Sequence, residues 1–410
     1  MPRFIHCADV HLGRSIRVSL DLPGHLTQTV QDAAYTSFKQ IIAEAIERKV
    51  DFVLISGDLY DLEQRSLHGQ WFVKKQAERL LEKNIPLFII HGNHDPLIND
   101  NNAVSMPENV HIFTNDVVPV FLETADGDKV YLYGFSYPQK AFHENPLPMY
   151  KRVPDDAAFH IGLLHGQERM QQEHEPYAPF KVSELMDKHF DYWALGHIHK
   201  RQLLAERPAV VYPGNIQGSH RKETGAKGAY YVELSKQAVE LAFISTAPVQ
   251  WENIVVSIDS LHSIDQLLDL VCTMLHELQR DRLYVIELSI EGQGHLHEQL
   301  TGAEEHELLS MINDAAVTRS NHWINRLYVK TLPTIDRSAL YQHEHLLGDV
   351  VRTVDRLKQT KTAAASLNPV FSHPLLKHYL TDLTEEEIGD IIDGAERKLI
   401  SALLREVEQS

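Results

Sequence analysis

The chain has 410 residues, 43% of them apolar and 23% charged, which is enough for two or three domains with ordinary cores. Its two cysteines, Cys7 and Cys272, are too few and too far apart for a disulfide framework. No apolar run approaches the roughly 20 residues that a bilayer crossing needs, so a cytoplasmic protein without a membrane partner is expected. A formal net charge of -18 opposes a nucleic-acid partner, unless cations enter the site or basic residues gather on one face.

In chain order, Met1-Pro2-Arg3 shows no signal-peptide pattern and leads into a first strand, Phe4 to Ala8. Ala34, Phe38, Ile41, Ile42 and Ala45 recur at helical spacing and predict one helix from about Val30 to Lys49. Asp51 to Ile55 is a second buried strand. A helix through Trp71, Val73, Ala77, Leu80 and Leu81 leads to a third strand, Ile85 to Ile90. This β-α-β-α-β order implies parallel strands joined by right-handed crossovers. Asp126-Gly127 then signals a hairpin between Val117–Leu122 and Val130–Tyr133. Further strands are expected at Phe159 to Leu164, Tyr192 to Leu195, Ala209 to Tyr212, Ala229 to Leu234 and Val239 to Ile244, with a short helix near Val182 to Lys188. Two mixed sheets face to face, with helices outside, accommodate this order. The first domain is expected to close near Thr246-Ala247-Pro248, giving limits of 1–247. A small α+β unit follows over 248–340, with strands near Ile254–Ile258, Leu283–Ile290 and Arg326–Lys330 and a helix from about Ile264 to Leu278. Residues 341–410 read as helical: Thr384-Glu385-Glu386-Glu387 is a capping-box start, and Ile388, Ile391, Ile392, Ala395, Leu399 and Leu403 form a stripe.

Five short motifs fall just after predicted strands: Asp9-x-His11, Gly57-Asp58, Gly92-Asn93-His94-Asp95, His165-Gly166 and Gly196-His197-Ile198-His199. Each alone also fits an ordinary loop, and Asn93-His94-Asp95 an Asx-type turn with a solvated imidazole. With 25 histidines in the chain, only histidines in a pattern carry weight. All five motifs sit where layered α/β folds collect their ligands. The mixture of carboxylate, amide and imidazole suits manganese, iron or zinc rather than a thiolate-bound ion. Two such ions about 3.5–4 Å apart can clamp a phosphoryl group and ready a hydroxide for in-line attack. Such a pair needs one bridging carboxylate, for which Asp58 is placed. His197 and His199 alternate along an extended backbone and can serve one ion each.

Asp9-Val10-His11-Leu12-Gly13, Gly57-Asp58-Leu59-Tyr60-Asp61 and Gly92-Asn93-His94-Asp95 resemble the calcineurin-like metallophosphoesterase superfamily and, within it, the SbcD-type DNA-repair nucleases. The motif resemblance covers residues 1 to about 245. It implies a four-layer α/β/β/α sandwich, followed by a small α+β cap domain and a helical C-terminal tail. It also implies two divalent ions, usually Mn2+, with Asp9, His11, Asp58 and His199 on the first and Asp58, Asn93, His165 and His197 on the second. His94 would be the catalytic histidine and Asp95 its orienting carboxylate. Asp61 stands where many relatives carry His, so a catalytic or a merely solvated carboxylate fits there. The implied reaction is phosphodiester hydrolysis on DNA, as 3′-to-5′ exonuclease and single-strand endonuclease.

Basic residues follow the motifs: Arg14, Arg17, Arg169, Lys200, Arg201, and then Arg221 and Lys222 with Lys227 beyond. On one face they would dock DNA phosphates; scattered, they are solvated loop charges. Leu375, Leu376, Tyr379, Leu380 and the stripe from Ile388 to Leu403 would pack on the chain's own cap or on a partner's helices. The resemblance implies that the partner is the coiled-coil base of an SbcC-type ATPase, and that the nuclease domain forms a homodimer. Two other readings stay open: a phosphoesterase acting on a phosphoprotein or cyclic nucleotide, and a scaffold that has lost the chemistry.

Overall fold

The computed structural model describes residues 1–18, 22–61, 66–97, 104–169, 177–278, 281–317, 321–334, 337–342 and 346–360, with 388, 389, 391–396, 399, 400 and 403. Strands β1 (Arg3–Cys7), β2 (Phe52–Ser56), β3 (Leu87–Ile90) and β4 (Val110–Ile112) pair in parallel, in that order. Apart from Arg3, the residues of the first three are buried. Continuous apolar runs of this kind belong to strands covered on both faces. β11 (Gly228–Leu234) adds to β1 antiparallel and β12 (Val239–Ser245) adds to β11, which completes a six-stranded sheet. The second sheet has the order β5-β6-β7-β8-β10-β9: β5 (Val120–Glu123), β6 (Lys129–Gly134), β7 (Phe159–His165), β8 (Tyr192–Gly196), β10 (Ala209–Tyr212) and β9 (Gln202–Glu206). Its four central strands are parallel. β5 and β6 form the expected hairpin, with Gly127 at φ 82 in its turn.

Three apolar layers hold the sheets. α2 (Ala33–Glu47) and α3 (Leu67–Leu81) send Phe38, Ile41, Ile42, Val73, Ala77 and Leu80 onto Ile5, Val53, Ile55 and Ile89 of the first sheet. Between the sheets lie Phe4, Phe52, Leu54, Phe88, Ile161, Leu163 and Val211. Beyond the second sheet, Trp193, Leu195 and Tyr212 pack with Tyr150, Phe180 and Leu185, the last from α4 (Val182–Met186). The result is the α/β sandwich read from the sequence.

Three details differ from expectation. The helix expected over Val30 to Lys49 is two helices, α1 (Gly24–Gln31) and α2, parted at Asp32. The Asp32 carboxylate accepts from Gln28 Nε2, and an aspartate that bonds locally competes with a continuous helix. β4 and β9, short and half exposed, were not anticipated. Later in the chain β13 (Val249–Ser257), β14 (Leu283–Gln293) and β15 (His322–Leu332) form a three-stranded sheet in that order. It is accompanied by α5 (Ile264–His276), α6 (His297–Gly302) and α7 (Glu305–Val317), and the last two had no counterpart in the reading.

The chain divides into two compact units. The first comprises Met1–Ile254, Leu270–Ser289 and Leu309–Tyr328. Within it, Val249, Trp251, Leu283, Val285 and Trp323 pack with Ile16, Leu26, Val30 and Ala33. The second comprises Val255–Asp269, Ile290–Leu308 and Val329–Ser410. It holds α8 (Arg337–Gln342) and α9 (Leu346–Thr360), whose Val354 clusters with Ile388 and Ile392 of the predicted stripe. The capping box Thr384–Glu387 and residues Leu375, Leu376, Tyr379 and Leu380 lie outside the described residues. Among the described residues no helix is long and apolar enough to cross a membrane.

Candidate metal centre

The chain leaves β1 and β2 along adjacent paths. Asp9 N donates to Gly57 O (3.1 Å), His11 N to Asp58 O (3.0 Å) and Leu12 N to Leu59 O (3.0 Å). The loops after β7 and β8 meet through Gly166 N and Gly196 O (3.1 Å). The two sheets touch where these loops begin: His165 Nδ1 donates to Ser56 O at 2.9 Å. A Cβ on Gly196 would lie 1.8 Å from Ser56 O, and one on Gly92 would lie 2.3 Å from Asp58 Oδ1, so glycine is the residue these approaches allow. Asp9, His11, Asp58 and His197 have φ of 50°, 46°, 53° and 99°. Non-glycine residues in that region cost about 1–3 kcal/mol each, and four among seven candidate donors is the clustering expected of a functional site.

The seven donors fall into two clusters, with Asp58 near both and Asp9 within reach of His11 and His199 in one and of Asp58 and His165 in the other. In one, His11 Nε2 lies 3.1 Å from His199 Nε2 and 3.8 Å from Asp58 Oδ2, and His199 Nε2 is 3.9 Å from Asp9 Oδ1. In the other, Asn93 Oδ1 is 3.0 Å from His165 Nε2 and 3.2 Å from His197 Nδ1, and His165 Nε2 is 3.4 Å from Asp58 Oδ2. Asp9 Oδ1 and Oδ2 each accept from His197 N at 3.1 Å, and Asp58 Oδ1 accepts from His94 N at 2.9 Å. Donors about 2.1 Å from one cation lie roughly 3.0–3.4 Å apart at octahedral or tetrahedral angles, and several of these separations match. The facing Nε2 atoms of His11 and His199 make the same point: two lone pairs at 3.1 Å need a proton or a cation between them. These residues fit a pair of divalent ions, with Asp58 Oδ2 facing both clusters.

The electrostatics are those of a site built around positive charge. Burial keeps the His11 imidazole well below its usual pKa and pushes Asp9 up. Burial would also raise Asp58, but His165, His11 and His94 hold its carboxyl well below the usual range. Burial opposes charge on His165 too, yet Asp58 and then Asp9 lift it to about 9. A proton on His165 thus offsets the buried carboxylate, and a cation binding there must displace it.

His94 is half exposed beside the donors, with Nδ1 3.2 Å from Asp61 Oδ1. That hydrogen bond, against the opposing effect of burial, raises the His94 pKa, and it lowers that of Asp61. Arg14 Nε stands 3.7 Å from Asp61 Oδ2. The expected pairing of Asp95 with His94 is therefore corrected. Asp95 is fully buried, accepts from the backbone N–H of Leu59, Tyr60 and Gly92, and lies 3.0 Å from His91 Nδ1. It ties the loop carrying Asp58 to the loop carrying Asn93, and Asp61 holds the histidine. Three backbone donors already point at Asp95, which leaves it as an anchor for the backbone.

The basic residues divide. Arg14 and Arg17 help, after burial, to lower the His220 pKa, and Arg14 also faces Asp61. Lys200, Arg169 and Lys222 are exposed. Arg201 instead lies 3.8 Å over the Phe243 ring, and Arg221 donates to the Tyr328 hydroxyl at 2.7 Å and sits 3.4 Å from Glu287. Sequence reasoning missed one site residue, Glu223, and read another, Lys227, only as a basic residue that could face DNA phosphates. Glu223, buried, accepts from His199 Nδ1 at 2.5 Å, and Lys227, buried, donates to His199 O at 2.9 Å. Burial opposes charge on Glu223, but His199 holds its carboxyl below the usual range. The one available signal was an acid directly after a basic run.

Comparison with known proteins gives the same outline. The family described as Calcineurin-like phosphoesterase matches residues 2–201, and the one described as Metallophosphoesterase YhaO, middle domain, matches residues 251–332. The uncharacterized metallophosphoesterase YhaO of Bacillus subtilis (strain 168) is 34% identical over 398 residues, 96% of either chain. The DNA double-strand break repair protein Mre11 of Methanocaldococcus jannaschii is 28% identical over 262 residues, 60% of this chain and 66% of its own. That of Sulfolobus acidocaldarius is 21% identical over 423 residues, 98% of each.

Proposed function

This chain belongs to the calcineurin-like metallophosphoesterase family, and from that premise we propose that it is the nuclease subunit of a DNA double-strand-break repair assembly. The observation that carries the hydrolytic part is the gathering of Asp9, His11, Asp58, Asn93, His165, His197 and His199, with His11 and His165 both facing the Asp58 carboxylate. The similarity to Mre11 proteins supports DNA as the substrate.

Asp9, His11, Asp58 and His199 would hold one divalent ion and Asp58, Asn93, His165 and His197 the other, with Mn2+ the proposed metal. When bound, the two ions polarise a phosphodiester and ready a water for in-line attack. The chain does the rest. His94, whose pKa the hydrogen bond to Asp61 raises, donates a proton to the departing sugar oxygen. Arg14, beside that pair, and the exposed Arg17, Lys200 and Lys222 supply positive charge for flanking phosphates. Asp95 and His91 keep the loops bearing Asp58 and Asn93 in register. In this reading residues 1–247 carry the chemistry, 248–340 form the cap, and 341–410 grip a coiled-coil ATPase of the SbcC type.

The test is hydrolysis of end-labelled and single-stranded DNA by the full chain with Mn2+, beside His94→Ala. The expected result is 3′-to-5′ and single-strand cleavage, reduced about 10²–10⁴-fold by the substitution. Activity confined to phosphoserine or cyclic nucleotides would overturn the DNA assignment, and equal rates for the two proteins would remove His94 from the mechanism.

A further inference from the structure

We propose that Glu223 is a positioning residue that makes the pocket of Asp9, His11 and His199 the tighter of the two cation sites, so that the ions load in order. The proposal rests on the metal-centre reading above and names a determinant that reading lacks.

His199 is held at both ends. Its ring Nδ1 faces Glu223 Oε1 at 2.5 Å, and its carbonyl oxygen accepts from Lys227 Nζ at 2.9 Å and Asn215 N at 3.4 Å. Glu223 is itself pinned: its Oε2 accepts from Ser219 N at 2.6 Å and from Ser219 Oγ at 3.0 Å. Both holding side chains are nearly sealed from water, Glu223 at 7% and Lys227 at 8% exposure, which excludes a casual surface pairing. Gly214, at φ 77, lets this backbone close in, since a Cβ there would sit 2.8 Å from His199 O.

The arrangement has a chemical consequence. With the Nδ1 proton committed to Glu223, Nε2 is left as the lone-pair nitrogen, and Nε2 is the atom that faces His11 and Asp9. A carboxylate behind an imidazole also makes it a stronger donor to a cation. The other pocket has a weaker device. His165 Nδ1 donates to the neutral carbonyl of Ser56 rather than to a carboxylate, while Asp9 and Asp58 both stand near its other face. With Asp9 and Asp58 near both pockets, the carboxylate behind His199 is the asymmetry, and Glu223 should set the difference in affinity.

The experiment titrates the full chain, stripped of metal, with Mn2+ and follows the paramagnetic resonance of the unbound ion. Wild type should take up two ions in two resolved steps. Glu223→Gln, similar in shape, should weaken the first step about 10–100-fold, leave the second unchanged and leave the melting temperature of the metal-free protein unchanged. Glu223→Asp, which keeps the charge but shortens the reach, should weaken the same step. An unaltered first step in both variants, or both steps weakened alike with a lowered metal-free melting temperature, overturns the proposal. Wild-type protein that binds no Mn2+ overturns the metal-centre reading, and the proposal with it.

Discussion

At the scale of single residues, His94 and Asp61 make a pH prediction whose sign follows from their contact. The hydrogen bond to Asp61 raises the His94 pKa, so the protonated, donating form persists to higher pH. A rate that needs this form falls as pH rises through that pKa. Asp61→Asn lowers the His94 pKa and should move the alkaline limb of the DNA-cleavage profile to lower pH. The shift should nearly vanish with bis(p-nitrophenyl) phosphate, whose leaving group needs no proton. Asp95 should behave otherwise. It takes three backbone N–H bonds in full burial, so Asp95→Ala leaves those donors unpaired and should cost about 3 kcal/mol or more in denaturant unfolding. Asp61→Asn, on a half-exposed loop, should cost far less stability.

At the scale of elements, the centre exists because strand ends from two sheets are brought within touching distance. Gly92 and Gly196 separate two consequences of that closeness. A Cβ at Gly196 meets backbone, Ser56 O, which cannot step aside, so Gly196→Ala should lower the melting temperature through overpacking of about 3 kcal/mol or more. A Cβ at Gly92 meets side chains, Asp58 and His165, which can turn away. Gly92→Ala should therefore spare more of the stability and lose Mn2+ binding, as read by elemental analysis of the purified protein. The split at Asp32 belongs to this scale as well: apolar spacing continued across it, and only the local hydrogen bonding of an aspartate interrupts the helix.

At the scale of the whole molecule, a net charge of -18 and a DNA substrate are compatible only if positive charge is concentrated at the site. Two divalent ions supply about four such charges. Chelation should therefore lower DNA affinity as well as abolish cleavage, and anisotropy with labelled DNA would record it. It should also lower the melting temperature, since an ion at a hundred times its Kd stabilises by about 2.7 kcal/mol. Alanine at Arg14, Arg17, Lys200 or Lys222 should each reduce the slope of log affinity against log salt by about one. Arg201 and Arg221, engaged with Phe243 and with Tyr328 and Glu287, should change that slope less.

By itself the sequence determined the parallel β-α-β-α-β opening, the two-sheet sandwich and the positions of Asp9, Asp58, Asn93 and the histidines. Buried strands are uniformly apolar, and turns that carry ligands need glycine, so both leave marks in local order. Tertiary structure alone decided who serves whom. Asp61 rather than Asp95 reaches His94, and Glu223, 24 positions away, backs His199. Such contacts join residues distant in the chain and depend on how two sheets are set face to face. Spacing along the backbone carries no record of that distance.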